Sequence, residues 1–480
     1  MTGFDDLPFE ILQDIVSLVI QSYPKRSDRL TASREIPTRN DVAFAPICQL
    51  IHLSHISSVL RSVILATPEL WTALDFSYDV GNENDRDVVG ELVRRSGSRD
   101  VTLVLVEHRR SRFLRKVQET DASGEITQLD FGVCWEWVET VLPRLKSVAL
   151  NGSYGFIQGF ADACTLCHFA NPVPIWLREG AGQTLRYLEF RLRPPRHTSL
   201  LETPTPTFPL DVASAFPFVQ DFRSSGLPLR HLPKWNLTNV CLKSTHIPPK
   251  LLYELLINGN LESLKLVDIL VDDSTVQEDA SYLYTPWVTD ETASLKDLEL
   301  IGLFTAEDEE KFHKLFPNHS SLPPEPRNAD LSQSELMFFK FVDFLKAFRI
   351  PTLEKLVLRS GKYNFELLSA FIEAYRVPKI TICTNLRSLE LTTDDTDISS
   401  LLSNLTVFFP HITEFKAIDS DEKQVPLIVD YIAHEQISGE QVWPFLDYIK
   451  VNGEGYLRQR SWSDNERPSR DLDPNTCVAG

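Results

Sequence analysis

One short pattern recurs along the sequence and is clearest as LESLKL (261–266), LKDLEL (295–300), LEKLVL (353–358) and LRSLEL (386–391). Each copy has an apolar residue, two others, an apolar residue, one other and a third apolar residue. Alternate side chains of an extended chain point to the same face, so the last two apolar residues of a copy share one face of a strand. The pattern therefore predicts a series of strands that bury equivalent positions.

Copies of the pattern extend over most of the chain. The others are LKSVAL (145–150), LRYLEF (185–190), LTNVCL (237–242), the weaker ITEFKA (412–417) and LDYIKV (446–451), and the degenerate VQDFRS (219–224). Several clear copies start 24 to 40 residues apart, with one gap of 58. Self-similarity at this spacing is typical of a solenoid, and Leu-x-x-Leu-x-Leu resembles the core of the leucine-rich repeat. Without VQDFRS there are nine copies in one phase, which argues against chance recurrence in a non-repeating α/β domain.

Apolar segments with helical character lie between the copies, at 251–256, 336–348, 365–375 and 398–405. Strand and helix in turn predict an α/β solenoid over residues 77–455, with a parallel sheet backed by helices. The copies vary in spacing and lack the regular Asn or Cys of standard repeats, so we expect irregular curvature. Long loops at 192–217 and 304–334 are either excursions near a binding site or decoration without a role. Residues 456–480 are polar and predicted to be disordered.

Two apolar segments at the N-terminus have helical spacing. FDDLPFEILQDIVSLVIQ (4–21) places Pro8 in a first helical turn, where its missing N–H costs nothing. A second segment, 47–74, is helical until Pro68. Between them, residues 22–43 are polar and aperiodic, which predicts a loop or disordered insert. The wide apolar stripe of the first helix indicates packing on another protein or on the domain behind it.

These N-terminal residues carry a resemblance. LPFEILQDI (7–15) resembles the opening Leu-Pro-x-Glu-Ile/Leu-Leu-x-x-Ile of the F-box, and residues 53–71, ending in TPELW, resemble its closing part in fungal F-box proteins. Ser57 stands where the family usually has Cys, and Leu60 where it has Trp. The resemblance implies an F-box-like helical module at 1–76 that docks on a Skp-type adaptor, which bridges to a cullin. The adaptor-binding residues that it implies are Leu7, Pro8, Glu10, Ile11, Leu12, Ile15, Pro68 and Trp71.

The function implied is that of the substrate-recognition subunit of a Skp–cullin–F-box ubiquitin ligase. The repeat domain would bind an unidentified protein target, and the subunit itself would be non-catalytic, because a receptor acts by raising the local concentration of its target. One alternative is a complex with the Skp adaptor that never joins a cullin. Another is a leucine-rich-repeat scaffold with no ubiquitin role, in which the N-terminal helices only cap the solenoid. An enzyme is a more distant alternative.

Composition narrows the other function classes. The formal charge of −19 argues against a general nucleic-acid binder, which needs a basic surface. Seven scattered cysteines without a leader predict a reduced compartment, the cytosol or nucleus, and no apolar run is long enough for a membrane span. Cys164, Cys167 and His168 match a haem-attachment spacing superficially, but no second ligand pair follows. We therefore expect no metal and no cofactor.

The repeat phase also predicts which side chains face outward from the sheet. On a solenoid this open face is the default surface for a target. An equally good explanation for its mixed charges is pairing between neighbouring strands, without any ligand. The candidate target-binding residues are Tyr187, Arg191, Lys265, Lys355, Arg359, Glu390, Lys416 and Tyr448.

Overall fold

A computed structural model of the chain describes residues 7–22, 46–79, 82–107, 135–169, 185–192, 216, 218–227, 229, 232, 235–247, 249–256, 259–271, 294–304, 350, 352–359, 367–369, 372, 385–393, 405, 407–419, 443, 446, 448–451 and 454–457. The chain forms two compact units. The first comprises 1–286, 292–295 and 302–341, and the second comprises 287–291, 296–301 and 342–480.

The first unit places helices between the strands of a parallel sheet. Its helices are α1 (Phe9–Ser22), α2 (Pro46–Ser54), α3 (Ser58–Ala66), α4 (Glu83–Arg95), α5 (Glu136–Val141), α6 (Tyr154–Phe169) and α7 (Pro249–Leu256), with 3-10 turns at Pro68–Trp71 and Leu142–Arg144. Its strands are β1 (Ala73–Tyr78), β2 (Val101–Glu107), β3 (Leu145–Gly152), β4 (Tyr187–Leu192), β5 (Asp221–Ser225), β6 (Asn239–Ile247) and β7 (Ser263–Val271). Each strand pairs in parallel with the next along the chain.

The second unit also contains a sheet of mostly parallel strands. Its strands are β8 (Asp297–Phe304, of which 297–301 belong to this unit), β9 (Lys355–Arg359), β10 (Ser388–Thr393), β11 (Glu414–Asp419), β12 (Tyr448–Val451) and β13 (Glu454–Leu457). Strands β8 to β12 pair in parallel in chain order, and β13 runs antiparallel to β12. The predicted α/β class, with a parallel sheet backed by helices, is confirmed.

The recurring pattern accounts for the strands. Where the side chain is described, every residue at one of the three apolar positions of a copy has an exposed fraction of 3% or less. In most copies the first of these residues precedes its strand and the other two lie within it, as for Leu353, Leu356 and Leu358, all at 0%, whereas β3 begins at its first residue, Leu145. Each copy whose side chains are all described therefore buries three of them, and this burial is the main favourable contribution to folding.

The second residue of a copy fixes the register of the next strand. The carbonyl of Arg186 accepts hydrogen bonds from the N–H groups of both Gln220 and Asp221, each at 2.9 Å. The same fork joins the Lys296 carbonyl to the N–H groups of residues 354 and 355. Because a slip of one residue would turn the apolar side chains to the opposite face, this fork and the burial pattern specify the same register.

Four residues with positive φ lie at the point where β5 to β8 bend. They are Gly226 (77°), Ser244 (47°), Asp268 (54°) and Gly302 (62°). Gly226 directly follows Ser225 of β5, which pairs with Lys243 of β6. Ser244 of β6 and Asp268 of β7 lie opposite each other, between the pairs Lys243–Val267 and Thr245–Ile269. The bend brings Thr245 into the core, where its hydroxyl donates to the Leu227 carbonyl at 2.5 Å.

Aromatic side chains fill the space between β1 and helices α5 and α6. Trp135 packs 5.1 Å from Tyr78 and 5.5 Å from both Phe156 and Phe160, measured between ring centroids. The indole N–H of Trp137 donates to the Tyr78 hydroxyl at 3.3 Å. Edge and tilted contacts of this kind stabilise a core beyond simple burial.

Three strands lie outside the predicted copies. In β1 the sequence WTALDF (71–76) has Trp71 where other copies have Leu, so the first strand of the sheet begins inside the residues assigned to the helical module. The register of β2 shifts between Val101 and Thr102, which breaks the pattern there. The prediction of a disordered tail from residue 456 is wrong at its start, because Tyr456 belongs to β13 and pairs with Ile449 of β12. Residues 458–480 lie outside the described residues.

Several other predicted segments also fall outside the described residues. They are 23–43 of the insert, 193–215 and 305–334 of the two long loops, and the helical segment 336–348. The predicted helix at 251–256 is confirmed by α7, whose Leu251, Leu252, Leu255 and Leu256 are buried.

Candidate interaction surfaces

The N-terminal helices pack on one another and on the start of the sheet. Helix α1 contacts α2 and α3, and α2 contacts β1. Leu12 and Val16 of α1 are each 1% exposed, as are Leu50 of α2 and Val63 of α3. One side of α1 is thus used to build the module itself.

Other apolar side chains in and beside these helices are exposed. Within the described residues, seven of the ten exposed large hydrophobic side chains lie in this short region, with exposed fractions from 36% to 70%. We call this set the apolar face. It consists of Leu7, Phe9, Ile11, Leu18, Ile51, Ile56 and Leu65. Apolar surface concentrated in this way is typical of a site where another protein binds.

The residues that the F-box resemblance implicates lie on both sides of the module. Leu7, Pro8, Glu10 and Ile11 are exposed, and Ile15 is half-buried. Leu12 is buried, so any effect that it has on an adaptor interface is indirect. Helical spacing alone could not separate these groups, because both sides of α1 are apolar.

Trp71 lies inside the fold. Its side chain is 0% exposed, and its indole N–H donates to the Ile64 carbonyl at 2.8 Å. The Arg95 guanidinium carbon lies 4.8 Å from the centre of the Trp71 ring, a cation–π contact from α4. Trp71 therefore joins α3 to the sheet and offers no surface to a partner, whereas Pro68 is half-buried.

The two positions that depart from the F-box pattern have local roles. The Ser57 hydroxyl accepts a hydrogen bond from the Leu60 N–H at 3.0 Å and so caps the N-terminus of α3. Leu60 is 4% exposed and contributes to the core of the module. A cap of this type is worth about 1 kcal/mol.

On the outward face of the first unit, Glu189 organises its neighbours. Its two carboxylate oxygens accept hydrogen bonds from the Tyr187 hydroxyl and from Arg191 Nε, each at 2.5 Å. The Arg223 guanidinium carbon lies 5.3 Å from the centre of the Tyr187 ring. Burial, together with the Glu189 carboxylate, raises the pKa of Tyr187, which therefore stays protonated and keeps donating.

On the outward face of the second unit, predicted cations contact acids. Lys355 Nζ lies 2.5 Å from Glu299 Oε1 on the neighbouring strand, and Arg359 pairs with Glu390. Lys416 Nζ lies 2.9 Å from Glu414 Oε1 on its own strand. The two pairs between neighbouring strands, Lys355–Glu299 and Arg359–Glu390, are what the charge-pairing explanation of the mixed signs expects. Of the other candidates, Tyr448 in this unit and Lys265 in the first are half-buried on β12 and β7.

Two carboxyl groups of the second unit have shifted pKa values. Burial raises the pKa of Asp297. Burial acts in the same direction on Glu414, but the hydrogen bonds from Lys416 and Ser388 outweigh it and lower the pKa of that carboxyl. The two acids therefore respond to pH in opposite ways.

Arg223 and much of the apolar face were not predictable from the sequence pattern. Arg223 lies in the degenerate copy VQDFRS, whose strand is nevertheless regular. Leu18 and Leu65 lie in the same helices as buried residues, and Ile56 lies in the turn between α2 and α3, so hydrophobicity does not reveal which apolar side chain faces solvent.

Other candidate chemistry has little support among the described residues. Cys164 is buried in α6, the helix that also contains Cys167 and His168. No group of three His, Cys, Asp or Glu side chains in the described part of the chain could hold a metal ion. Of the helices that the structure describes, none has the length and hydrophobicity to cross a bilayer.

Comparisons of the sequence with known protein families and with curated proteins gave no match.

Proposed function

We propose that this chain is the substrate-recognition subunit of a Skp–cullin–F-box ubiquitin ligase. In this proposal the apolar face docks on the Skp-type adaptor and the repeat sheet binds a protein target. The chain contributes no catalytic group, because the transfer takes place on other subunits and the receptor supplies proximity. The resemblance of residues 7–15 and 53–71 to the F-box supplies the identity of the partner.

The observation that carries the proposal is the exposure of the apolar face. Leu18 is 66% exposed and Ile56 is 70% exposed, although both lie in a region that also builds a core. Burying about 100 Å² of apolar surface contributes roughly 2.5 kcal/mol. A stable adaptor interface therefore explains why these side chains are apolar, whereas packing within the module does not.

The test is capture of a Skp adaptor and a cullin by the full-length chain. The variant Ile11→Asp/Leu18→Asp places charges on the apolar face without touching the buried Leu12 and Val16. We expect adaptor capture to fall at least about tenfold, because each carboxylate would have to be desolvated at the interface.

The matched control is Val88→Asp, a change at another exposed apolar residue (53%) outside the apolar face. It should leave adaptor capture unchanged. Wild-type chain that folds but captures no adaptor would refute the proposal. Capture of adaptor without cullin would support instead a Skp complex outside the ligase.

A second candidate is a repeat scaffold with no ubiquitin role, whose N-terminal helices cap the sheet. The contact of α2 with β1 and the burial of Trp71 favour it, because both tie the module to the first strand. Capping alone predicts that Ile11→Asp/Leu18→Asp has no effect on any partner.

A further inference from the structure

The outward face of β4 to β7 has an excess of cations. Register with the neighbouring strands places the outward side chains at alternate positions between the buried ones. Four of them are cations and two, Glu189 and Asp221, are acids, although the whole chain carries a charge of −19. We call the four cations the basic row. They are Arg191, Arg223, Lys243 and Lys265.

Two side chains of the basic row are held in place by their neighbours. Glu189 is 4% exposed, and both of its oxygens already accept hydrogen bonds, from Tyr187 and Arg191. Arg223 is exposed and stacks on the Tyr187 ring. A guanidinium fixed before binding loses less side-chain entropy when it meets a carboxylate.

The spacing of the basic row fits an extended peptide. Its members lie one to a strand on four consecutive strands. The register places Arg191 and Lys243 level with Ser225, and it places Arg223 and Lys265 level with Cys241, so the four cations alternate between two levels. Neighbouring strands are about 4.8 Å apart, so the row extends roughly 14 Å across the strands, a distance that an extended peptide covers with about four or five residues. A single phosphate group would reach only one or two of the cations.

The outward face of the second unit differs. Its strands carry equal numbers of cations and acids at the outward positions, whereas on β4 to β7 the cations outnumber the acids, even though Arg191 itself pairs with Glu189. A binding surface for negative charge is therefore expected on the first unit and not on the second.

We propose that the basic row binds an extended segment of consecutive Asp and Glu residues in a target protein. This inference rests on the proposed function, since it names the class of target that the receptor would hold. Carboxylates on the side of the segment that faces the sheet would meet Arg191, Arg223, Lys243 and Lys265, with the guanidinium groups as bidentate donors.

The test is fluorescence anisotropy of the full-length chain with a labelled peptide of about ten alternating Asp and Glu residues, a peptide length chosen to exceed the span of the row. The comparison probes are a phosphoserine peptide of equal net charge and polyuridylate RNA. We expect the acidic peptide to bind most tightly and its affinity to fall as salt rises. Arg223→Glu/Lys243→Glu should raise its dissociation constant at least about tenfold.

The control is Arg86→Glu/Arg94→Glu on α4, which makes the same change in net charge away from the basic row. It should leave peptide affinity within about twofold. Equal losses in the two variants, tighter binding of the phosphopeptide or RNA, or no binding at low salt would each overturn the inference. If charge reversal unfolds the chain, Arg223→Gln/Lys243→Gln gives the same comparison. Adaptor capture that survives when peptide binding fails would refute this inference and leave the proposed function standing.

Discussion

The positive-φ residues at the bend of the strands lead to a prediction about glycine. An Ala Cβ on Gly302 would lie 2.8 Å from Asp268 Oδ1 and 3.4 Å from the Asp268 Cα, and the residue has φ of 62°. A left-handed conformation costs a non-glycine residue about 1–2 kcal/mol, and the lower chain entropy of Ala returns about 0.5–1 kcal/mol. We expect Gly302→Ala to lower the free energy of unfolding by about 1 kcal/mol, plus the cost of displacing the Asp268 carboxylate.

The measurement is urea unfolding of the full-length chain, followed by tryptophan fluorescence and circular dichroism. Gly90→Ala is the matched control, because Gly90 lies within α4 and a Cβ there would have no atom within 4 Å. It should raise stability by about 0.5–1 kcal/mol. Ser244→Gly, at φ of 47°, should also stabilise or be neutral. If Gly302→Ala behaved like Gly90→Ala, the argument from backbone conformation would be refuted.

The remaining predictions concern four single side chains. Trp71→Ala should lower stability by about 3–5 kcal/mol in thermal melts, because it empties a fully buried site; a loss below 1 kcal/mol would contradict this. Asp297→Asn should raise the free energy of unfolding at neutral pH, because the pKa of Asp297 is raised in the folded state. A carboxyl of this kind stabilises the fold only while it is protonated, so its contribution is present below its pKa in the unfolded chain and is lost as pH rises through its pKa in the folded chain. The advantage of Asn should therefore vanish below about pH 4. Glu414→Gln should lower the free energy of unfolding at neutral pH, and this loss should disappear as pH falls through the lowered pKa of that carboxyl. If the stability of both variants changed with pH in the same direction, both predictions would be contradicted. Arg144→Ala should cost about 1–3 kcal/mol in urea unfolding, because its guanidinium donates to two backbone carbonyls and the Ser96 hydroxyl, and Arg144→Lys should not restore the loss, since an ammonium lacks the fork.

The strands were predictable wherever three leucine-like residues keep their spacing. Leu261, Leu264 and Leu266 reveal a strand because burial of one face requires that spacing. Strand β1 was missed because Trp71 replaces the first leucine and the preceding residues are helical. Strand β13 was missed because EGYL, residues 454–457, is too short and polar to show a period.

The surfaces were less predictable than the strands. Periodicity placed Leu12 and Ile11 on one stripe, but contact with α3 decides that Leu12 is buried and Ile11 is exposed. The backbone bend was not predictable either, since Ser244 and Asp268 adopt a conformation that sequence patterns associate with glycine. The register between strands decides which outward charges form ion pairs. Those strands lie far apart in the sequence, as the pair of Glu299 and Lys355 shows, so the pairing could not be predicted.

Strand β13 has a consequence for the edge of β12, which it covers. An unpaired strand edge can recruit the edge of another molecule, and one way in which proteins limit this is to end a sheet on a very short strand. If β13 were absent, β12 (Tyr448–Val451) would have an unpaired edge. The four residues of β13 cover that edge by pairing with β12 in antiparallel direction. Truncation at Val451 should therefore expose a template for edge-to-edge growth, and light scattering should then detect assemblies that the full-length chain does not form.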